Sequence, residues 1–99
     1  MTVRADIPPS RRAEYAALVA LLIANAALDD AETRAVAGHI ARASLEDGHL
    51  WRAMGLPDRG ALRDIMRTRF RPLFDANSED MRWKRFLYKR MCGWSGFDA

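Results

Sequence analysis

Apolar residues in the first half of the chain recur at spacings of three and four, which is typical of amphipathic α-helices. The first predicted helix starts after residue 9, with Ser10 as its candidate N-cap, and runs for roughly 16 residues. A second helix is predicted over residues 30–45, because Asp29 and Glu32 have the spacing of a capping box. A short turn joins the two, so together they predict an αα-hairpin. Their predicted inner faces are Tyr15, Leu18, Val19, Leu22, Ile23 and Ala26 in the first helix, and Ala31, Ala35, Val36, Ile40 and Ala43 in the second.

The second half of the chain predicts shorter helices. A one- to two-turn helix over residues 49–54 ends at Gly55, and Asp58 then caps a longer one. Pro72 is predicted to end that longer helix. Its apolar face is formed by Leu62, Ile65, Met66 and Phe70, and Leu73 and Phe74 follow as predicted core anchors in a short turn.

The last predicted helix is the most aromatic and most basic part of the chain. Ser78 is its candidate N-cap, Glu79 and Asp80 are placed in its first turn, and Gly93 is a candidate residue just beyond its end. Two sets of residues recur at the three- and four-residue spacing of a helix, an apolar set predicted to face inward and a basic set predicted to face outward. The inner stripe is Trp83, Leu87 and Met91, and the outer stripe is Arg82, Arg85 and Lys89.

These elements predict an all-α fold, a small bundle of about five helices with no sheet. Ninety-nine residues are enough for one domain, which we place at residues 10–93, after a flexible lead at residues 1–9 and before a tail at residues 94–99. The chain contains no apolar run of about 18 residues, so no membrane span is predicted. The first residues lack the apolar core of a signal peptide, and a single cysteine excludes an intrachain disulfide. We therefore predict a cytoplasmic protein.

The charge is unevenly distributed along the chain. Residues 1–50 contain five basic and seven acidic residues, whereas residues 51–99 contain eleven basic and six acidic ones. This asymmetry indicates that the second half faces an acidic partner, although a solvated basic face would give the same pattern. Arginine and aromatic residues favour protein interfaces. The predicted partner-binding residues are Arg82, Arg85, Tyr88, Lys89 and Trp94.

Catalysis has little support in the sequence. No nucleophile, zinc-protease or phosphate-binding motif is present, and we predict no catalytic residue and no enzyme activity. The candidate metal ligands are Cys92 and His49. They could form part of a metal site within one chain, or of a site shared between the two chains of a homodimer. Nucleic-acid binding through the basic last helix is less favoured, because its aromatic residues are predicted to face inward.

Several segments resemble the NifQ family of nitrogen-fixation proteins. The stretch NSEDMRWKRFLYKRMC, residues 77–92, carries most of the likeness, and the pieces HLW with GL and then FRPL match the family upstream in the same order. The resemblance is specific over residues 46–92, and earlier residues share only helical character. The matched positions are His49, Trp51, Asn77, Trp83, Lys84, Tyr88 and Cys92.

The resemblance implies a role in nitrogen fixation, namely the supply of molybdenum for the nitrogenase iron–molybdenum cofactor. Family members carry four cysteines spaced C-x4-C-x2-C-x5-C, a few residues after the position matched by Cys92, and these cysteines are not among the residues of this sequence. Molybdenum or an iron–sulfur species is thus implied by resemblance alone. The implied partner is a nitrogenase component or the cofactor-assembly scaffold protein.

Two hypotheses of different classes follow. The first is a metal carrier whose ligands are shared between chains or supplied by a partner. The second is a helical interaction protein without a cluster, which binds a nitrogenase or maturation component and regulates or protects it. A basic-helix nucleic-acid-binding module is a further alternative.

Overall fold

A computed structural model describes residues 7–92, which form six α-helices and one 3-10 turn and contain no strand. The predicted all-α fold is confirmed. No helix within these residues is long and apolar enough to cross a membrane. After the 3-10 turn at Pro9–Arg11, the helices are α1 Arg12–Ala24, α2 Ala31–Ser44, α3 Leu50–Ala53, α4 Arg59–Arg69, α5 Arg71–Ala76 and α6 Trp83–Cys92.

The helix α1 lies at the centre of the bundle and packs against both α2 and α6. Its core residues Leu18 and Leu22 are fully buried, and the core continues through Ile40 of α2 and Leu87 of α6. The predicted hairpin of α1 and α2 is confirmed. The largest fully buried side chains are Phe70, Ile7, Leu18, Leu22, Ile40, Leu62, Met66, Leu73, Leu87 and Thr33.

The N-cap of α2 is Asp30, so the predicted capping box on Asp29 was wrong. The Asp30 carboxylate accepts a hydrogen bond from the backbone N–H of Thr33 at 2.7 Å, whereas Asp29 pairs with Arg34 on the surface. The bond to Thr33 holds the pKa of Asp30 below its usual value. The buried face of the helix also differs from the prediction, because Ala31 and Ala35 are exposed. The buried residues of α2 are Thr33, Ala37, Ile40, Ala41, Ala43 and Ser44.

Arg69 joins the end of α4 to the hairpin connection, a role that the sequence did not indicate. Its carbonyl accepts from Ala27 N at 2.8 Å, and its guanidinium donates to the hydroxyl of buried Thr33 at 2.9 Å. The same guanidinium pairs with Glu32 at 3.0 Å. Thr33 is fully buried, and this bond satisfies a hydroxyl that would otherwise be costly to desolvate.

The longer helix ends just before Pro72, as predicted, but Pro72 itself lies in a further helix that the sequence analysis did not predict. The helix α4 stops at Arg69, and the buried Phe70 leaves helical geometry with φ −131° and ψ 52°. Pro72 then lies in the first turn of α5, where its missing N–H would have had no partner within the helix. This additional helix raises the number within residues 7–92 from about five to six α-helices.

The start of the last helix also differs from the prediction. Ser78 is not its N-cap, because α6 begins only at Trp83, and Glu79 and Asp80 lie in the preceding loop. The Asn77 side chain closes this loop by accepting from Met81 N at 2.8 Å and donating to Met81 O at 2.9 Å. Asp80 takes a φ of +53°, a conformation that aspartate tolerates better than most residues. Ser10 likewise caps nothing, because α1 follows a 3-10 turn and begins without a side-chain cap.

We expect Asp30→Ala to lower the urea concentration at the midpoint of unfolding, because Thr33 N loses its acceptor and α2 loses its cap. Asp29→Ala is the matched control: it removes the same charge but only an exposed ion pair, and should leave the midpoint nearly unchanged. Equal effects of the two substitutions would contradict the assignment of Asp30 as the cap.

We expect Asn77→Ala to destabilise the fold by about 1–2 kcal/mol, because it removes two hydrogen bonds to the backbone of Met81. Ser78→Ala is the matched control, because Ser78 is exposed and does not cap α6, and it should leave the stability nearly unchanged. Urea unfolding monitored by circular dichroism measures both. Equal stability of the two variants would show that the loop does not depend on the bonds from Asn77 to Met81.

Candidate functional site

The predicted inner stripe of α6 is confirmed, and the residues of the predicted outer stripe are exposed, although Arg82 lies directly before the helix. Trp83, Leu87 and Met91 are all less than 5% exposed, and Phe86 joins them at 5%. Arg82, Arg85 and Lys89 are exposed on the outer surface. The burial of the aromatic face against the bundle therefore directs the basic residues outward.

An open groove of about 990 Å³ lies beside the first half of α6, where α3, the start of α4 and the Asp80 loop meet it. We call it the α3–α6 groove and define it by the residues that line it. Its lining residues are Gly48, His49, Leu50, Trp51, Arg59, Leu62, Asp80, Met81, Arg82, Trp83, Lys84, Arg85 and Tyr88. Of the positions that carry the NifQ resemblance, His49, Trp51, Trp83, Lys84 and Tyr88 are in this set.

The lining of the α3–α6 groove is predominantly positive. Among the described residues that line it, the one carboxylate is Asp80, which Arg59 engages at 3.0 Å, and the hydrogen bond from Arg59 lowers the pKa of Asp80. The Lys84 ammonium donates to the Glu46 carbonyl. The guanidinium groups of Arg82 and Arg85 make no ion pair or hydrogen bond with any residue in 7–92.

Aromatic residues form part of the same lining. His49 stacks against Trp51 with ring centroids 5.9 Å apart, and the Arg52 guanidinium lies 5.4 Å from the centre of the Trp51 ring. Trp83 contacts Phe74 and Phe86 on its buried side. Its indole N–H is buried and has no acceptor in the described part of the chain. An unsatisfied buried donor of this kind costs roughly 1–3 kcal/mol.

The predicted partner-binding residues do not form one continuous site. Arg82, Arg85 and Tyr88 line the α3–α6 groove, whereas Lys89 lines a second groove with Leu21 and Glu79. Trp94 lies outside the described residues. The helical spacing predicted the basic stripe, but the packing of α1, α3 and the Asn77 loop against α6 divides it between two grooves.

Tyr88 belongs to a polar network that joins three helices. Its hydroxyl donates to the Glu14 carboxylate, which also accepts two bonds of 2.9 Å from the Arg11 guanidinium. Arg11 donates further to the Leu45 carbonyl at 2.8 Å, beyond the end of α2. The bond from Arg11, with a smaller contribution from Tyr88, lowers the pKa of Glu14. Burial, followed by the bond to Glu14, raises the pKa of Tyr88.

The two candidate metal ligands are not brought together. His49 is exposed and lines the α3–α6 groove, whereas Cys92 is the exposed last residue of α6 and is not part of that lining. Among residues 7–92, no group of three or more His, Cys, Asp and Glu side chains has the geometry to hold a metal ion. His39 is hydrogen-bonded through Nε2 to the Met54 carbonyl at 3.1 Å.

Comparisons with known proteins identify the family. The NifQ family model matches residues 1–99. The NifQ protein of Azotobacter vinelandii is 38% identical over 94 residues, which is 95% of this chain. The chain belongs to the NifQ family. The NifQ protein of Rhodobacter capsulatus is 34% identical over 93% of the chain, and a NifQ homolog of Sinorhizobium fredii is 38% identical over 85% of it.

This membership confirms the resemblance and its assignment to nitrogen fixation. The likeness extends further than the sequence analysis recognised, because the family match includes residues 1–45 as well. The chain spans about half the length of the NifQ proteins of A. vinelandii and R. capsulatus, at 48% and 52%. No solved structure matches the chain.

Sequence reasoning missed Arg59 as a groove residue and did not select Lys84 for partner binding. Arg59 is 21 positions from Asp80, and only the fold brings them together. Lys84 was among the matched positions of the family, and this was the available signal for it.

We expect the stabilising effect of Glu14 to depend on pH. Its pKa is lowered in the folded state, so the stability it contributes is present above its unfolded pKa, about 4.3, and is lost as the pH falls through the lower folded value. Glu14→Gln should therefore destabilise the chain at neutral pH, and the two free energies of unfolding should converge in acid. Urea unfolding between neutral pH and pH 3 measures the difference.

Glu46→Gln serves as the control for this experiment, because the Glu46 carboxylate forms only an exposed ion pair with Arg42. It should have little effect at any of these pH values. A Glu14→Gln deficit that stayed constant into acid would contradict a role for the ionised carboxylate.

Proposed function

We propose that this chain acts in nitrogen fixation as the docking body of a molybdenum-delivery protein that serves assembly of the iron–molybdenum cofactor. NifQ membership over the whole chain supports the process. The observation that carries the docking role is the α3–α6 groove, which collects Arg82 and Arg85 together with five of the positions that mark the family resemblance. The proposed partner is a nitrogenase component or the cofactor-assembly scaffold protein.

Molybdenum is the cargo in this proposal. Cys92 and His49 supply a thiol and an imidazole, the kinds of ligand that bind transition metals, but they lie at separate places on the described structure. We therefore propose that ligands for the cargo are shared between chains or supplied by the partner. The contribution of residues 7–92 is to bring the partner to the metal.

A second candidate is a helical interaction protein that carries no metal and regulates or protects a nitrogenase or maturation component. The same groove favours it, because a basic groove whose Arg82 and Arg85 have no ion pair within residues 7–92 fits protein docking whether or not metal is transferred. Nucleic-acid binding has weaker support, since Trp83 and Phe86 are buried in the core and do not offer ring faces for stacking on bases.

We expect expression of the chain in a diazotroph that lacks its own NifQ protein to raise nitrogenase activity when molybdate is scarce. The rise should disappear when molybdate is abundant, because delivery then no longer limits cofactor assembly. Acetylene reduction by whole cells measures the activity at both concentrations. An accumulated, folded chain that gave no rise at scarce molybdate would contradict the delivery role.

Metal analysis separates the two candidates. The full chain is purified without oxygen from cells given molybdate and iron, once alone and once as a complex with the scaffold protein. Near-stoichiometric molybdenum or iron in either sample supports the carrier. A metal-free, folded chain in both samples supports the interaction protein.

A further inference from the structure

We propose that the α3–α6 groove binds a short, extended, acidic segment of the partner protein, with one apolar or aromatic side chain of that segment seated between Trp51 and Met81. The proposal specifies which surface of the docking body is used and which chemistry it recognises. It rests on the proposed function only for the identity of the partner.

Charge gives the first argument. The groove is lined by four cationic side chains, Arg59, Arg82, Lys84 and Arg85, and by one carboxylate, Asp80, which Arg59 already engages. Arg82 and Arg85 make no ion pair within residues 7–92 and are exposed. Because a guanidinium binds a carboxylate through two parallel hydrogen bonds, unpaired arginines favour an acidic occupant.

The spacing of these arginines gives the second argument. Arg82 is the residue directly before α6 and Arg85 lies in the first turn of α6, so two guanidinium groups three positions apart in the sequence line the same groove. Alternate residues of an extended segment are about 6.6 Å apart and project to the same side. Two acidic residues separated by one position would therefore meet the two guanidinium groups.

The apolar part of the groove gives the third argument. The accessible apolar side chains of the lining are Trp51 and Met81, which are half-buried, whereas Leu50 and Leu62 are buried. A volume of about 990 Å³ is at the upper end of the range for small-molecule pockets and suits several residues of a chain. An occupant with charges alone would leave this surface exposed to water, whereas a central apolar side chain would cover it.

The position of Lys89 supplies an internal control. Lys89 and Arg85 are four positions apart on α6 and both are exposed, yet Lys89 lines the other groove. A partner attracted by the general positive charge of α6 would respond to both residues alike. A segment bound in the α3–α6 groove would depend on Arg85 and hardly on Lys89.

The test uses the full chain labelled with ¹⁵N and a synthetic peptide in which glutamates alternate with serines around a central phenylalanine. We expect the peptide to shift amide signals of residues 48–51 and 80–88, and to change the fluorescence of the groove tryptophans. Replacing every glutamate by glutamine, or the phenylalanine by serine, should each weaken binding about tenfold or more, which corresponds to about 1.4 kcal/mol.

Charge-reversal variants at Arg85 and Lys89 test which groove binds the peptide. Arg85→Glu, with Arg82→Glu as a second variant should the first fail to fold, should weaken peptide binding about tenfold or more, whereas Lys89→Glu should change it by about twofold at most at physiological salt. Circular dichroism confirms the fold of each.

Several outcomes would overturn the proposal. They are absence of binding at millimolar peptide, shifts confined to other surfaces, equal loss in the Arg85 and Lys89 variants, and tighter binding of a single-stranded oligonucleotide in the same groove. The last outcome would assign the groove to nucleic acid. If nitrogenase activity at scarce molybdate is restored while the peptide fails, only this inference falls. If the peptide binds as expected without that restoration, the proposed function falls and the groove assignment stands.

Discussion

Burial of the apolar stripe of α6 against α1 is the constraint on which the functional surface depends. Trp83, Phe86, Leu87 and Met91 are four large buried side chains in a helix of ten residues, so the rotation of that helix is fixed by packing. A helix with a period of 3.6 residues must then present its remaining positions to solvent, and these positions are largely basic. The exposed arginines are therefore a consequence of the core and need no separate structural device.

The polar network around Glu14 holds the same helix in register along its length. Tyr88 is bonded to Glu14 at the start of α1, Arg11 connects Glu14 to the end of α2, and Lys84 reaches the adjacent Glu46 carbonyl. Apolar packing is tolerant of small shifts along a helix, whereas hydrogen bonds with charged partners are directional. The network thus ties α6 to α1 and to the end of α2, and with it the basic residues of α6 that line the α3–α6 groove.

Helix periodicity predicted the inner stripe of α6 and the hairpin, and N-cap chemistry predicted the cap at Asp58, whose carboxylate accepts from Ala61 N at 2.9 Å. It failed where two local solutions compete. By sequence, Asp29 and Asp30 are both acceptable N-caps of α2. In the structure Asp29 pairs with Arg34, and Asp30 accepts the capping hydrogen bond from Thr33 N. Ser78 is a residue type that favours the N-cap position. However, the Asn77 side chain forms two hydrogen bonds to the Met81 backbone, and the helix begins only at Trp83. The groove itself could not be predicted, because Arg59 and His49 reach α6 only through tertiary packing.

The basic residues along α6 do not act as one continuous surface, because they line two different grooves. A row of arginine and lysine residues on a helical wheel suggests one ridge that attracts any acidic surface. Within residues 7–92 the row borders two grooves, and the one beside α3 combines Arg82 and Arg85, which have no ion pair among these residues, with the half-buried Trp51. Non-directional attraction falls off within a Debye length in salt, whereas paired guanidinium contacts beside a hydrophobic surface retain specificity. Under the proposed docking function, the physical basis for selecting one partner lies in the α3–α6 groove, and the remaining charge of α6 attracts that partner before it docks.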